Sequence, residues 1–156
     1  MKLLRMYREI SKAWRTLVKT GSPEIKKRAI LWRRGPTLVR LERPTRLDRA
    51  RALGYRAKEG VAVVRIRVSR GGMRKKRPVS GRRPKHMGVL KIKSNVPAQA
   101  VAERRVSERY VNMKVIGSYL VWKDGRYAWF ECVLIDPKQP AIANDYTYRR
   151  ALGVVR

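Results

Sequence analysis

Acidic residues are scarce in this chain. Only 11 of its 156 residues are Asp or Glu, against 40 Lys or Arg, so the formal net charge is +29. A compact state with this charge repels itself strongly, and the imbalance therefore indicates a polyanionic partner. Arg outnumbers Lys, and a planar guanidinium binds phosphate in a bidentate manner and stacks on bases. The composition thus favours nucleic acid over a lipid surface.

Metal ligands and nucleophiles are also scarce. The single cysteine, Cys132, cannot form an internal disulfide, which is typical of a reducing compartment and predicts an intracellular protein. One cysteine and one histidine, His86, cannot supply the four ligands of a structural zinc site, and the carboxylates show no spacing typical of acid–base chemistry. We expect no enzyme activity, no cofactor and no small-molecule substrate. For His86, a phosphate or base contact and a solvated side chain both stay open.

Long apolar runs are absent. None exceeds four residues, as in Val61–Val64, whereas a membrane-spanning helix needs about 20. We therefore expect no transmembrane segment and no membrane partner. The basic N-terminal segment repeats apolar residues at helical spacing and contains Glu9, so we expect a structural helix rather than a removed targeting sequence. Binding of this helix to an anionic membrane surface is a weaker alternative.

Apolar periodicity and capping residues predict four helices. The first ends at Thr20-Gly21, and the second has Ser22 as N-cap, Pro23 at its first position and an end near residue 34. A third helix of about two turns follows a variant capping box formed by Thr45 and Asp48, and it ends at Gly54. A fourth helix is expected over residues 97–109.

Alternating patterns predict a sheet. In VAVVRIRV, apolar residues alternate with Arg65 and Arg67, which predicts a strand with one apolar and one cationic face. MKVIGSYLVWK and RYAWFECVLID flank Asp124-Gly125 and predict a hairpin with a two-residue turn. Pairing outward from that turn predicts a core face of four pairs: Val121 with Ala128, Tyr119 with Phe130, Gly117 with Cys132 and Val115 with Leu134.

The opposite face of the hairpin, which carries Trp122, Tyr127, Leu120, Trp129, Ser118 and Glu131, either packs under the N-terminal helices or stacks on nucleotides. The predicted fold class is α+β, with a small antiparallel sheet packed with helices, a helical N-terminal arm and a long basic loop insertion. We expect one domain over residues 1–156. It comprises an arm (1–36), a body (37–136) with a basic loop (69–93), and a C-terminal extension (137–156).

The basic loop begins with SRGGMRKKRPVSGRRPK, which carries eight positive charges in seventeen residues, and no acidic residue occurs between Glu59 and Glu103. Charge runs are usually solvated or disordered, so we expect this segment to be disordered in isolation and to order among phosphates. With RPTRLDRARALGYRAK it forms a cationic tract from Arg40 to Lys93. Its glycines and prolines favour structured RNA over duplex DNA. A free-standing chromatin or DNA-architectural protein is the alternative.

Two blocks of sequence resemble a known family. RPTRLDRARALGYRAKEG, followed by RIRVSRGG and KRP, resembles the signature of the archaeal and eukaryotic large-subunit ribosomal protein family L-fifteen of the e type. SYLVWKDGRYAWFECVLIDP is similar to a second block of that family. The resemblance implies a structural protein of the large subunit, with an α+β domain and basic segments that thread into ribosomal RNA, and with neither catalysis nor cofactor. The short chain favours an archaeal member.

The resemblance and the basic tract together select the expected RNA-binding residues. They are Arg43, Thr45, Arg46, Arg49, Arg51, Tyr55, Arg56, Lys58, Arg65, Arg67, Arg70, Arg74, Lys75, Lys76, Arg77, Arg82, Arg83, Lys85 and His86. The expected partners are large-subunit ribosomal RNA and neighbouring ribosomal proteins, in a cytoplasmic ribosome, without homo-oligomerisation. The sequence departs from the family at Leu120–Lys123, where Trp-Val-Gly-Glu is usual, and it lacks the basic tail expected after Arg156.

Overall fold

Helices and strands alternate irregularly along the chain. The computed structural model describes residues 2–71, 76–89 and 96–153, with the side chains of residues 2–4 left out. The helices are α1 Lys2–Thr20, α2 Pro23–Arg34, α3 Leu47–Ala52, α4 Ala98–Arg109, α5 Pro140–Ala143 and α6 Tyr146–Ala151. The strands are β1 Leu38–Leu41, β2 Val61–Ser69, β3 Lys114–Lys123 and β4 Tyr127–Ile135. The predicted α+β class is confirmed.

The four strands form one antiparallel sheet in the order β1-β2-β4-β3. Helix α4 covers one face, where Ala102 and Val106 pack against the alternating apolar residues of β2 and β4. On the other face, α3 packs against the sheet and α1 packs against α3, with Trp14 and Trp32 at the margin of this second core. The central strand β4 is buried along almost its whole length because it has a paired strand on each side and helices on both faces.

The predicted helices are confirmed, with ends within a residue or two of those expected. Helix α1 ends at Thr20 because Gly21 adopts φ +60°, a left-handed conformation that stops a helix. The predicted capping at α3 is wrong. Arg46 occupies the N-cap position without a side-chain cap bond, and the Thr45 hydroxyl donates instead to the buried carboxylate of Glu131. Thr45 lies one residue before the N-cap, and its bond to Glu131 directs the hydroxyl toward β4.

The predicted hairpin is confirmed, but its register is wrong except at Val115 and Leu134. The turn lies one residue further along, because the Asp124 N–H donates to the Tyr127 carbonyl at 2.8 Å and leaves Gly125 and Arg126 at the tip. Two bulges then bring the strands back into step. The observed pairs are Lys123 with Ala128, Trp122 with Trp129, Leu120 with Phe130, Tyr119 with Glu131, Ser118 with Cys132, Gly117 with Val133, Val115 with Leu134 and Lys114 with Ile135.

This register exchanges residues between the two faces of β3. Tyr119 and Val121 lie in the core beneath α3, while Ser118 faces α4, where its hydroxyl donates to Glu103. The shift begins at the turn, where the Asp124 carboxylate accepts the N–H groups of Arg126 and Tyr127 at 2.7 and 2.6 Å. An aspartate that bonds the backbone two and three residues ahead forms its own turn, and the strands follow it.

The C-terminal extension packs against the body through α5 and α6, two helices that the sequence analysis did not predict. Gly60 makes room for α5: its φ is +81°, and a Cβ there would lie 2.8 Å from the Ile142 Cγ1. Tyr148 of α6 is buried with Ile135 and Ile142, and its hydroxyl donates to the Gly54 carbonyl at 2.8 Å. The extension therefore lies beside the segment that follows α3.

Candidate nucleic-acid interface

The first cationic surface surrounds α3. Ala50 is completely buried, so successive 100° steps of the helix turn its neighbours Arg49 and Arg51 toward solvent, and both are exposed. Arg43, in the segment between β1 and α3, is also exposed. No ion pair involves these three arginines within the described residues. Their guanidinium groups are thus available to an external anion.

A buried carboxylate holds this surface in place. Glu131 of β4 has 0% exposure and accepts the Thr45 N–H at 3.0 Å, the Thr45 hydroxyl, and the Tyr119 hydroxyl at 2.6 Å. Burial and the negative charge of Glu131 raise the pKa of Tyr119 far above its usual value, so the phenol keeps its proton and donates. Glu131 therefore ties the start of α3 to the central strand. In the sequence, its only signal is an acidic residue inside an apolar strand.

Three of the predicted RNA-binding residues in this first block serve internal contacts. Thr45 is bonded to Glu131, and Tyr55 is buried in the second core. The Arg46 guanidinium lies 2.8 Å from Asp48, with side chains only 12% and 6% exposed, and 5.7 Å from the centre of the Trp14 ring. The contact with Trp14 joins α1 to α3, and all three side chains support the surface from within.

The cationic face of β2 lies under other parts of the chain. Arg65 is half-buried with its guanidinium 4.5 Å from the centre of the Trp32 ring, and burial lowers the pKa of this arginine although Glu131 opposes the shift. Arg67 lies 4.9 Å from the Tyr127 ring and donates to the Arg33 carbonyl. Both guanidinium groups thus make cation–π contacts with aromatic rings of the protein. Their contact with RNA stays a prediction.

The aromatic residues on that face pack within the protein. Trp129 is 1% exposed, and its ring centre lies 6.1 Å from that of Trp32 in α2. Of the two alternatives left open for this residue, packing under the N-terminal helices is therefore the correct one. Trp122 is half-buried, and Tyr127 packs edge-on against Trp129.

Three further predicted residues are exposed but make contacts of their own. The Lys58 ammonium lies 2.8 Å from Asp145 and the Arg56 guanidinium 3.8 Å from the same carboxylate. The hydrogen bond from Lys58, with help from the Thr147 N–H, lowers the pKa of Asp145. The Arg70 guanidinium donates to the Asp124 carbonyl at the hairpin turn.

The basic loop supplies the remaining predicted residues. Its described members are all exposed, without an ion pair inside the described ranges, and they are Lys76, Arg77, Arg82, Arg83, Lys85 and His86. A single 3₁₀ turn over Pro84–His86 is the only regular element described in this loop. Arg74 and Lys75 lie outside the described residues.

The described part of the chain contains no group of three His, Cys, Asp or Glu side chains arranged to hold a metal ion. Among its helices, none has an apolar stretch long enough to cross a bilayer. The sequence analysis concentrated on one tract and missed exposed cations on other elements, including Arg149 and Arg150 of α6. Their only sequence signal is two adjacent arginines near the C-terminus.

The chain is similar to a known protein family along most of its length. A family model described as Ribosomal L15 matches residues 5–151, which is nearly the whole sequence. The matched region includes every predicted RNA-binding residue, the whole sheet, Glu131 and the C-terminal helices through residue 151.

Proposed function

The chain belongs to the Ribosomal L15 family and is a structural protein of the large ribosomal subunit, and from this premise we propose that it binds and stabilises ribosomal RNA through the exposed part of its Arg/Lys tract. The tract has two exposed surfaces. One consists of Arg43, Arg49 and Arg51 around α3, and the other is the basic loop that leaves the sheet after β2.

One observation carries this proposal: no acid among the described residues lies within ion-pair distance of the cations on these two surfaces. Neither Arg43, Arg49 and Arg51 nor the described cations of the loop take part in an ion pair within the described ranges, while the chain carries a net +29. Some carboxylates do pair with arginine or lysine, but they pair with other residues: Asp48 with Arg46, and Asp145 with Lys58. RNA phosphates can supply the missing negative charge, with release of their condensed counterions.

The body and the loop have different tasks in this proposal. Glu131, Arg46 and the packing of Ala50 hold the backbone of α3 in place, so only the side chains of Arg49 and Arg51 have to be ordered when they meet phosphates. The loop instead orders as it binds, and counterion release offsets the entropy lost. The protein thereby links a rigid cationic surface to an adaptable one, which suits a site where RNA helices approach each other.

A salt titration tests the proposal. The eight exposed Lys and Arg side chains described above, at one phosphate each, predict that log K for a large-subunit ribosomal RNA fragment falls with log[salt] at a slope of about −6. A nearly flat slope would refute RNA binding through this tract. Duplex DNA as competitor tests the DNA-architectural alternative, because DNA that displaces the RNA fragment at equal nucleotide concentration would favour that function.

Paired arginine substitutions locate the contacts. Arg49→Gln with Arg51→Gln is expected to reduce the magnitude of the slope by about 1.5 and to leave the urea unfolding midpoint unchanged, because both side chains are exposed. Arg104→Gln with Arg105→Gln is the matched control. It removes the same charge from exposed positions of α4, across the sheet from α3. Equal effects from the two pairs would show a general charge effect without a defined surface.

Deletion of residues 72–85 tests the basic loop. It removes seven Lys or Arg residues, five of them among the eight counted in the salt titration, so we expect the slope to become about 4 shallower while the domain stays folded. Circular dichroism checks the fold of the shortened chain. An unfolded product would contradict the assignment of this segment as a loop.

A further inference from the structure

The C-terminal helix α6 carries an exposed aromatic side chain beside two arginines. All twelve aromatic residues of the chain lie in its described part, and Tyr146 alone among them is exposed, at 63%. The other eleven are buried or half-buried. Arg149 and Arg150 follow at three and four positions, which are the neighbouring positions on a helix surface.

The orientation of α6 follows from its one buried residue. Tyr148 is 1% exposed, and each helical residue turns by 100°. Tyr146 and Arg150 each lie two residues from Tyr148, which places both of them about 200° away on the outward side. They therefore point away from the core on one common face, with Arg149 at its edge.

Long-range contacts hold α6 beside residues 54–58, the segment that follows α3. The Tyr148 hydroxyl donates to the Gly54 carbonyl at 2.8 Å. Asp145, which caps α6 by accepting the Thr147 N–H at 3.0 Å, also accepts from Lys58 at 2.8 Å and lies 3.8 Å from Arg56. Residues about 90 positions apart in the sequence thus form one cationic surface, in which Asp145 is the sole described acid within ion-pair distance of Arg56 or Lys58.

We infer that α6 is an RNA-contacting element in which Tyr146 stacks on an unpaired base while Arg149 and Arg150 neutralise the flanking phosphates. An exposed aromatic ring between cations can bind both parts of a nucleotide, since the ring takes the base and the guanidinium groups take the phosphates. The inference rests on the proposed RNA binding and extends it to the C-terminal helix and to unpaired nucleotides. A neighbouring protein on this face is the competing occupant.

Substitutions of Tyr146 test the stacking. Tyr146→Ala is expected to weaken binding to a ribosomal RNA fragment with unpaired loops by about 5- to 100-fold without changing the salt slope, because stacking is not ionic. Tyr146→Phe keeps the ring and should bind within about 2-fold of the unsubstituted chain. A perfect RNA duplex of the same length should not distinguish the three proteins. Equal binding of Tyr146→Ala and Tyr146→Phe to the looped RNA would overturn the inference and favour a protein occupant.

Substitutions of the charged residues test the phosphate contacts. Arg149→Gln with Arg150→Gln should make the salt slope about 1.5 shallower, and the Arg104/Arg105 control pair should not. Asp145→Asn keeps the helix cap and removes the competing charge, so it should tighten RNA binding several-fold. If the unsubstituted chain shows a steep slope and both α6 tests fail, only this inference falls. A flat slope for the unsubstituted chain would instead remove the proposed function.

Discussion

Removal of the Glu131 carboxylate is the most informative test of how the fold positions the proposed RNA-binding surface. Its two oxygens accept three hydrogen bonds, from the Thr45 N–H, the Thr45 hydroxyl and the Tyr119 hydroxyl, and the residue has no exposure to water. In Glu131→Ala these three donors lose their acceptor. A buried donor left unsatisfied costs about 1–3 kcal/mol, and allowing for partial relaxation we expect a total loss of about 3–5 kcal/mol. This is a large share of the roughly 5–15 kcal/mol that stabilises a typical domain.

Glu131→Gln separates hydrogen bonding from charge. The amide oxygen can replace the Oε2 atom, which accepts from the Thr45 N–H and from Tyr119. The amide nitrogen can donate to the Thr45 hydroxyl oxygen, which turns its own hydrogen away. The bonds remain but become neutral and therefore about half as strong, so we expect a loss of about 1–2 kcal/mol.

Urea unfolding followed by tryptophan fluorescence measures both losses. Urea is uncharged and keeps the ionic strength constant, which matters for a chain of net charge +29. Glu108→Ala is the control, because this acid is on the surface of α4 and its side chain is 66% exposed. We expect it to change stability by less than about 0.5 kcal/mol. A loss below about 1 kcal/mol for Glu131→Ala, or equal losses for the Ala and Gln variants, would refute the role given to this carboxylate.

A crowded glycine, a turn carboxylate and the single thiol give three further predictions. Gly60→Ala should destabilise the chain by at least about 2 kcal/mol in urea, because its Cβ would lie 2.8 Å from Ile142 at φ +81°; Gly88→Ala, with no atom near, should change little. Burial raises the pKa of Asp124, but the N–H groups at the turn and the Arg33 guanidinium outweigh this effect and lower the pKa below its ordinary 3.8. The contribution of the ionised Asp124 to stability is therefore complete above about pH 4 and is lost as pH falls through the lowered pKa. The stability difference between the unsubstituted chain and Asp124→Asn should therefore shrink in acid, and a constant difference would contradict this. Burial raises the pKa of Cys132 to about 12, so a thiol reagent at pH 8 should label it only in urea; rapid labelling of the native chain would show that the core opens.

The helices were predictable because their signals are local. The apolar stripe of α4 and the Gly21 stop after α1 are visible within a few residues, and the structure confirms both. The hairpin was predictable for the same reason, since two alternating segments flank Asp124 and Gly125. Its register was not, because the Asp124 side chain shifts the turn by one residue and two bulges follow. A one-residue slip moves side chains to the other face.

The candidate site divides in the same way. Exposure of Arg49 and Arg51 follows from their places beside the small apolar Ala50 in a short helix. Nothing near Arg46 in the sequence shows that Trp14, 32 positions away, lies over its guanidinium, and Arg65 likewise meets Trp32 only in the folded chain. Such pairs form between segments that are far apart in the sequence, so no local sequence pattern predicts them.

The sequence by itself determined the class of the fold, the family, and the excess of positive charge that indicates a polyanionic partner, because periodicity, motif and charge are properties of residues in order. Only the tertiary structure decided which cations face outward. The fold buries the carboxylate of Glu131 and places the Trp32 ring of α2 against Arg65 and the Tyr127 ring of β4 against Arg67. It also joins the start of α6 to Lys58 through Asp145. Arginine side chains are chemically identical, so tertiary packing alone decides which of them contact partners inside the protein and which stay exposed. The cause is that each guanidinium interacts mainly with the groups that the fold places within a few ångströms of it.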